Sequence, residues 1–316
     1  MPDARPPSLA GATRAPPRLR GMALFLFGLF LFACMDATTK YLAARHPVPL
    51  IVAVRYIVNC LLMVVLLAPS QGMRLVQTQR TGLVLVRACC LAAASLLVGL
   101  ALQRIPVAET TAINFLAPML VVLIAGPLLG ERIGALGWAA AVAGFAGVLL
   151  VVRPGSGLET VGILCALGAV LANAGYQLLS RTLADSERTL ALLFYTALVG
   201  AIVFGITLPW FWEDRAPGAF ELLLFLSLGV YGGLGHFLFT AAYRHAPASI
   251  LAPMTYFQLV WAGLLGFVIF GHVPDRLSLI GMAVIAASGL MIALKPRRAE
   301  PASVARREAA GGADAG

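Results

Sequence analysis

The sequence predicts an all-α polytopic membrane protein with ten transmembrane helices, arranged as two inverted five-helix repeats. Apolar residues fill 60% of the 316 positions, and only 12% carry a charge, about half the share of a soluble globular protein. Long apolar segments recur along the chain, and similar motifs return after about 140 residues. This composition excludes a soluble enzyme, a nucleic-acid-binding domain and a disordered chain.

Ten apolar segments have roughly the 20-residue length that crosses a bilayer. They cover residues 22–42, 49–69, 82–103, 107–129, 134–152, 159–180, 190–209, 220–243, 248–270 and 277–294. The short links between them carry prolines, which favour helix boundaries. The flanking residues 1–21 and 295–316 are rich in Pro, Arg, Ala, Gly and Glu, and we expect both tails to be disordered.

An internal repeat divides the spans into residues 22–152 and 153–294. Met35 to Lys40 align with Ala172 to Gln177, Arg104 to Ala108 with His245 to Ser249, and Gly130 with Gly271. Because each half has an odd number of spans, the second half must cross the membrane in the opposite sense. Inverted repeats of this kind are typical of secondary transporters.

The distribution of basic residues predicts the orientation. Nine of the 23 Lys and Arg residues lie in the two tails, and basic segments stay on the cytoplasmic side. We therefore place both termini in the cytoplasm of a bacterial-type inner (plasma) membrane. Anionic lipid, and not nucleic acid, is then the expected partner of the net charge of +9. On this topology Arg87 lies near the cytoplasmic side and Arg55 within the membrane.

These features together resemble the drug/metabolite transporter superfamily, in its ten-helix EamA-type branch, over residues 22–294. The motifs that carry the resemblance are Asp36 and Lys40 in span 1, Arg55 in span 2, Pro118 in span 4, Gly137 and Gly144 in span 5, and the segments 246–249, 256–261 and 270–275. The resemblance implies a secondary transporter of small organic molecules. His272 departs from the family pattern, which usually has an acid there, and this predicts a missing loop contact.

Four ionisable residues lie where lipid would penalise them: Asp36, Lys40, Arg55 and Glu109. A charge at the bilayer centre costs about 2.5–3.5 kcal/mol on insertion scales. Helical rise places Asp36 and Arg55 at one depth, and Lys40 and Glu109 at another. We therefore predict an Asp36–Arg55 pair and a Lys40–Glu109 pair around an outward-opening cavity. The alternatives are interfacial side chains that reach water, and an ion pair without a transport role.

The second half carries uncharged counterparts, with Asn173 for Asp36 and Gln177 for Lys40. This asymmetry would allow Asp36 or Glu109 to take up a proton in one of two alternating states, which makes a proton the possible coupling ion. Asn114, Tyr256 and Trp261 complete the predicted pathway. Both charge signs with aromatic groups favour an amino-acid, vitamin or nucleoside-like substrate.

Small residues in span 5, such as Gly147, and Gly281 in span 10 predict close helix contact, as a scaffold or as the face of a homodimer. A channel or sensor is the main alternative function. An intramembrane enzyme is disfavoured because the chain lacks a His-Glu-x-x-His or Gly-x-Ser-x-Gly motif and a midspan pair of aspartates. No metal, nucleotide or organic cofactor is predicted, and the phosphate-binding loop of ATPases is absent from the sequence.

Overall fold

The computed structural model describes residues 17–129, 135–153, 155–184, 186–212, 217–246, 250–251 and 254–293. Its helices are α1 (Pro17–Ala43), α2 (Val48–Gln71), α3 (Thr81–Arg104), α4 (Val107–Asn114), α5 (Leu116–Leu129), α6 (Ala135–Val152), α7 (Thr160–Leu183), α8 (Thr189–Phe211), α9 (Ala219–Ala242), α10 (Phe257–Phe270) and α11 (Arg276–Ala293). A 3₁₀ turn, Gly72–Leu75, follows α2.

The all-helical membrane architecture predicted from the sequence is confirmed. Seven of the described helices are long and apolar enough to cross a bilayer, and the shorter apolar segments are 107–121, 257–270 and 276–291. Because α1 begins at Pro17, the last residues of the predicted N-terminal tail are helical. The rest of both tails, Gly130 and residues 247–249 lie outside the described residues.

The predicted fourth span is divided at Phe115, between α4 and α5. Pro118 explains the division, because proline has no N–H to offer to the carbonyl of Asn114 and its ring crowds that carbonyl. The last turn of α4 closes with hydrogen bonds from the Phe115 N–H to the carbonyl oxygens of Thr111 and Ala112, both at 3.2 Å. A similar interruption at Thr255 and Tyr256 precedes α10. Both interruptions lie in the middle of the bundle, where they border the cavity described below.

Helix packing pairs each half of the chain with the other. The most extensive contacts join α3 to α7, α6 to α11, α1 to α9 and α2 to α8. By the repeat alignment, the counterparts in the two halves are α1 and α7, α2 and α8, α3 and α9, and α6 and α11. Exchanging each helix for its counterpart turns the α1–α9 pair into the α7–α3 pair. The α2–α8 and α6–α11 pairs stay the same. Each of these four helix pairs therefore joins the first half of the chain to the second.

Close backbone contact between α6 and α11 depends on two glycines. A Cβ atom at Gly147 would lie 2.8 Å from the Gly281 carbonyl oxygen, and one at Gly281 would lie 2.5 Å from the Gly147 carbonyl oxygen. Only hydrogen atoms fit in that space. These glycines therefore serve the scaffold within one chain, which was one of the two predicted roles.

We call the end of the bundle where α1 ends and α2 begins the outer face, following the predicted orientation, and the opposite end the inner face. Two ion pairs join segments at the outer face: Arg153 with Asp275 at 2.6 Å and Arg104 with Glu159 at 3.3 Å. The His46 ring nitrogen Nε2 also lies 3.4 Å from the Glu221 carboxylate there. At the inner face, the Glu187 carboxylate accepts hydrogen bonds from the backbone N–H groups of Gln79 and Arg80, at 2.8 and 2.6 Å.

Candidate substrate cavity

Two adjoining chambers lie inside the bundle. The larger has a volume of about 680 Å³ and the smaller about 270 Å³. Both chambers are lined by Met35, Asp36, Arg55, Leu91, Ser95 and Gln258. Because they meet at the same side chains, we treat them as one cavity with Asp36 and Arg55 at the junction.

The larger chamber extends from this junction to the inner face. Its lining follows α2 from Arg55 to Leu67 and includes Leu190 at the start of α8. At about 1.5 Å per residue, Leu67 lies roughly 18 Å closer to the inner face than Arg55. On the predicted orientation the larger chamber extends towards the cytoplasmic side, whereas the sequence analysis expected a cavity that opens outward. The sequence specifies the helices that line the cavity, but packing decides at which end they separate.

Asp36 and Arg55 each lie seven residues from the outer end of their helix, about 10 Å below the outer face. They share both chambers, yet no ion pair within 4 Å joins these two described residues. Arg55 contacts the sulfur of Met35 at 3.8 Å, and its guanidinium lies 4.9 Å from the centre of the Tyr56 ring. The predicted direct pair is thus replaced by two charges that face the same cavity.

Lys40 and Glu109 also differ from the predicted pairing. The Lys40 ammonium donates hydrogen bonds to the carbonyl oxygens of Leu102 and Ile105, at 2.8 and 2.9 Å. These carbonyls lie at the C-terminal end of α3, where helix carbonyls lack helical partners and a cation is favourable. Lys40 therefore attaches α1 to the end of α3.

Glu109 contacts His272 instead, with 2.9 Å between carboxylate oxygen Oε1 and ring nitrogen Nε2. Glu109 is 3% exposed, and its Oε2 atom is buried without a hydrogen-bond partner among the described residues. His272 reaches this position because Gly271 ends α10 in the left-handed conformation, with φ of 64°. His272, which stands where the family pattern has an acid, thus contacts an acidic residue of α4.

Five of the nine predicted pathway residues line the cavity: Asp36, Arg55, Asn114, Asn173 and Gln177. Tyr256 packs beside it, stacked on Phe115 with ring centres 4.9 Å apart. Trp261 lies edge-on to Phe30 at 5.1 Å, with its indole N–H buried and without a partner in the described part of the chain. The other four predicted pathway residues pack around the chambers and do not line them: Lys40, Glu109, Tyr256 and Trp261.

Arg87 is the residue that the sequence reasoning missed. It is only 4% exposed, although its position near the end of a span suggested a cytoplasmic cation. Its guanidinium donates to the hydroxyls of Ser180 at 2.7 Å, Thr196 at 2.9 Å and Tyr176 at 2.9 Å, and to the Leu192 carbonyl at 3.1 Å. The four-residue spacing of Tyr176 and Ser180 places two hydroxyls on one face of α7, a signal that could have indicated a partner.

The polar groups of the cavity are suited to binding a small organic molecule. Among the described residues, no group of three His, Cys, Asp or Glu side chains could hold a metal ion. Asp36, Arg55 and the amides offer charges and hydrogen bonds of both polarities, and most of the remaining lining is apolar. Such a mixture binds the polar and apolar parts of a small organic molecule.

Comparison with known proteins agrees with this arrangement. A solved crystal structure superposes with a TM-score of 0.65 at 21% identity, covering 88% of this chain and 98% of the other, so the fold is shared. An S-adenosylmethionine uptake transporter of Rickettsia felis is 26% identical over 89% of this chain and 95% of its own. The pseudopaline exporter CntI of Pseudomonas aeruginosa is 30% identical over 84% and 93%.

The EamA-like transporter family model matches the chain twice, at residues 19–153 and 160–294. The two matches cover most of the chain and correspond to its two halves. The family and the named relatives are transporters, not enzymes. The chain is therefore an integral membrane protein that belongs to the EamA-like transporter family.

Proposed function

We propose that this protein is a secondary active transporter that moves a small organic metabolite across the bacterial plasma membrane by alternating access. The observation that carries the proposal is the cavity itself. It lies between helices of both halves, holds Asp36 and Arg55 at its junction, and extends towards the inner face. Charged side chains inside a membrane bundle generally mark a substrate or ion pathway.

The proposed architecture is ten spans in two inverted repeats, with α4 and α5 counted as one span and residues 250–270 as another. The exchange of equivalent helix contacts between the halves supports it. The two helix interruptions support it as well, because Phe115 and Tyr256 hold equivalent places in the halves and stack on each other. Discontinuous helices at the interface of two repeats commonly frame a transporter's binding site.

The conformation described here corresponds to an inward-facing state. Three contacts close the outer side: Lys40 with the end of α3, Glu109 with His272, and Arg104 with Glu159. Opening to the outside would require α4 and α10 to separate, which breaks the Glu109–His272 contact. We propose that this contact forms in the inward-facing state and is released in the outward-facing state.

For the substrate, we propose an amino-acid, vitamin or nucleoside-like molecule. Charges of both signs beside a mainly apolar chamber support this class. The direction of transport does not follow from the family, since one relative is named for uptake and another for export.

The test is flux in proteoliposomes that contain the purified full-length protein. We expect saturable uptake of at least one metabolite from a mixed library and acceleration by the same metabolite inside, which is counterflow. Arg55→Ala and Asp36→Ala should reduce the flux at least about tenfold, whereas Arg74→Gln, an exposed arginine on the 3₁₀ turn, should not. Non-saturable flux without counterflow would indicate a channel and contradict the proposal.

The proposed coupling ion is a proton carried by Asp36, whose counterpart in the second half is the neutral Asn173. We expect an imposed pH gradient to drive accumulation in the parent protein. Asp36→Asn should abolish this accumulation while counterflow persists, because counterflow needs only binding and conformational exchange. Accumulation that ignores the pH gradient, together with an unaffected Asp36→Asn variant, would refute proton coupling.

A further inference from the structure

Basic groups outnumber acidic groups around the cavity. In the part of the chain that the structure describes, Asp36 is the one carboxylate on the cavity wall, and Arg55 lies on the same wall. His236 also lines the larger chamber and can add only positive charge. The acidic Glu109 points away from the chambers to His272, beside the cationic Lys40. The lining by itself therefore holds no net negative charge.

Arg87 adds a second guanidinium immediately behind the wall. One of its hydrogen-bond acceptors, the Thr196 hydroxyl, lines the larger chamber, and another, Tyr176, precedes the lining residue Gln177. All four acceptors of Arg87 are uncharged. The guanidinium is thus solvated by hydroxyls and a carbonyl, and none of them cancels its charge. Whether Asp36 is ionised or protonated, the cavity and its wall carry a net positive charge.

We propose that the transported metabolite is a net organic anion, with an acidic group held at Arg55 and an apolar portion in the larger chamber against Leu62, Met63 and Phe237. The proposal rests on the proposed transport function and specifies its substrate class. A positive charge in a low-dielectric bundle is stabilised by a bound counter-charge. The two chambers together are within the size range of sites that hold small organic ligands.

The experiment compares ligands that share a scaffold and differ in charge. An indole series at pH 7 consists of N-acetyl-L-tryptophan, L-tryptophan and L-tryptophanamide, which are anionic, zwitterionic and cationic. A nucleoside series consists of adenosine 5′-monophosphate, adenosine and 5′-amino-5′-deoxyadenosine. Dissociation constants come from thermal-stability titrations of the purified full-length protein, since a ligand stabilises the state it binds.

In at least one series we expect the anion to bind about tenfold or more tightly than the cation. One charge at roughly 8–10 Å with an effective dielectric constant of about 20 already changes the affinity by about tenfold or more. Because the anion and the cation differ by two charges, tenfold is a lower bound for their ratio. Arg55→Gln and Arg87→Gln should each reduce the ratio, whereas Asp36→Asn should increase it. Arg74→Gln serves as the control for a distant arginine and should leave the ratio unchanged. If Arg87→Gln does not fold, Arg55→Gln and Asp36→Asn still test whether these charges set the preference, because they should change the anion-to-cation ratio in opposite directions.

Equal or tighter binding of the cation in both series would overturn the proposal, and so would the absence of binding by both anions. A ratio that is the same in Arg55→Gln and Asp36→Asn would also contradict it, because the preference would then not come from these charges. The flux assay in proteoliposomes tests the proposed transport function separately. Saturable flux of a cationic metabolite would refute the anion inference and leave the transport function intact.

Discussion

Arg87→Ala should be the most destabilising single truncation among the polar residues of the inner half. The Arg87 side chain joins α3 to α7 through Ser180 and Tyr176, and to α8 through Thr196 and Leu192. Its guanidinium also lies 4.4 Å from the centre of the Tyr176 ring. Alanine removes all of these contacts and leaves a space between three helices.

The expected loss follows from the number of contacts. Hydrogen bonds between membrane helices average about 0.6 kcal/mol each and reach about 1.7 kcal/mol, and the cation–π contact contributes about 0.5–1 kcal/mol. Two of the hydroxyls that lose Arg87 keep another hydrogen-bond partner: the Ser180 hydroxyl also donates to the Tyr176 carbonyl, and the Thr196 hydroxyl to the Leu192 carbonyl. We therefore expect a loss of about 3 kcal/mol in the free energy of unfolding, and a melting temperature lower by roughly 5–10 °C.

The assay is thermal unfolding of the purified protein in one detergent, followed by tryptophan fluorescence. Arg87→Lys retains the charge but loses the planar fork of donors, so it should be destabilised by about half as much. Arg74→Gln, on the same face and exposed, should unfold like the parent. A melting temperature for Arg87→Ala within 1 or 2 °C of the parent, on the order of 0.5 kcal/mol, would refute the interpretation of Arg87 as an interhelical connector.

Three further predictions concern the outer side and the scaffold. Lys40→Met should lower the free energy of unfolding by about 1–2 kcal/mol, because two carbonyls at the end of α3 lose their hydrogen-bond donor. Denaturation of this variant and of the parent measures the difference, and equal stability would contradict the prediction. Gly281→Ala should destabilise by about 1–3 kcal/mol, since its Cβ would meet the Gly147 carbonyl at 2.5 Å. Gly263→Ala, with no atom within 4 Å of the added Cβ, should not destabilise, and similar melting of both variants would exclude the close contact. The Ser278 backbone N–H, and after it Arg153, hold the pKa of Asp275 at about 2, below its ordinary 3.8. The stability from this lowered pKa is present above about pH 4 and is lost as the pH falls towards 2. Between pH 5 and pH 2.5 the parent should therefore lose more of its free energy of unfolding than the Asp275→Asn variant. Equal losses in the two proteins would contradict this prediction.

Sequence reasoning could place Asp36 and Arg55 at one depth because depth along a helix can be counted. Asp36 and Arg55 lie equally far from the outer ends of their helices, and Asn173 is found by aligning the two halves. Helical rise therefore placed these side chains in one layer. The same reasoning could not establish whether Asp36 and Arg55 touch, because helix tilt and side-chain direction decide the distance between them.

The partners of Lys40 and Arg87 could not be predicted by matching opposite charges. Lys40 binds backbone carbonyls, which every residue carries and which no sequence pattern distinguishes. Arg87 binds hydroxyls and a carbonyl from two helices that are far away in the chain. The end of the bundle at which the cavity extends was also beyond the sequence, since the same helices would line the cavity in either case.

Accessibility of the cavity from each side of the membrane tests the central claim most directly. In a background where Cys34, Cys60, Cys89, Cys90 and Cys165 are replaced by alanine, Ser95→Cys places one thiol on the wall of both chambers. We predict that a membrane-impermeant maleimide labels it in inside-out vesicles and not in right-side-out ones. Adding Glu109→Gln, which weakens the contact with His272, should increase labelling from the outside. A thiol labelled only from the outside in the parent background, or equally from both sides, would contradict the account.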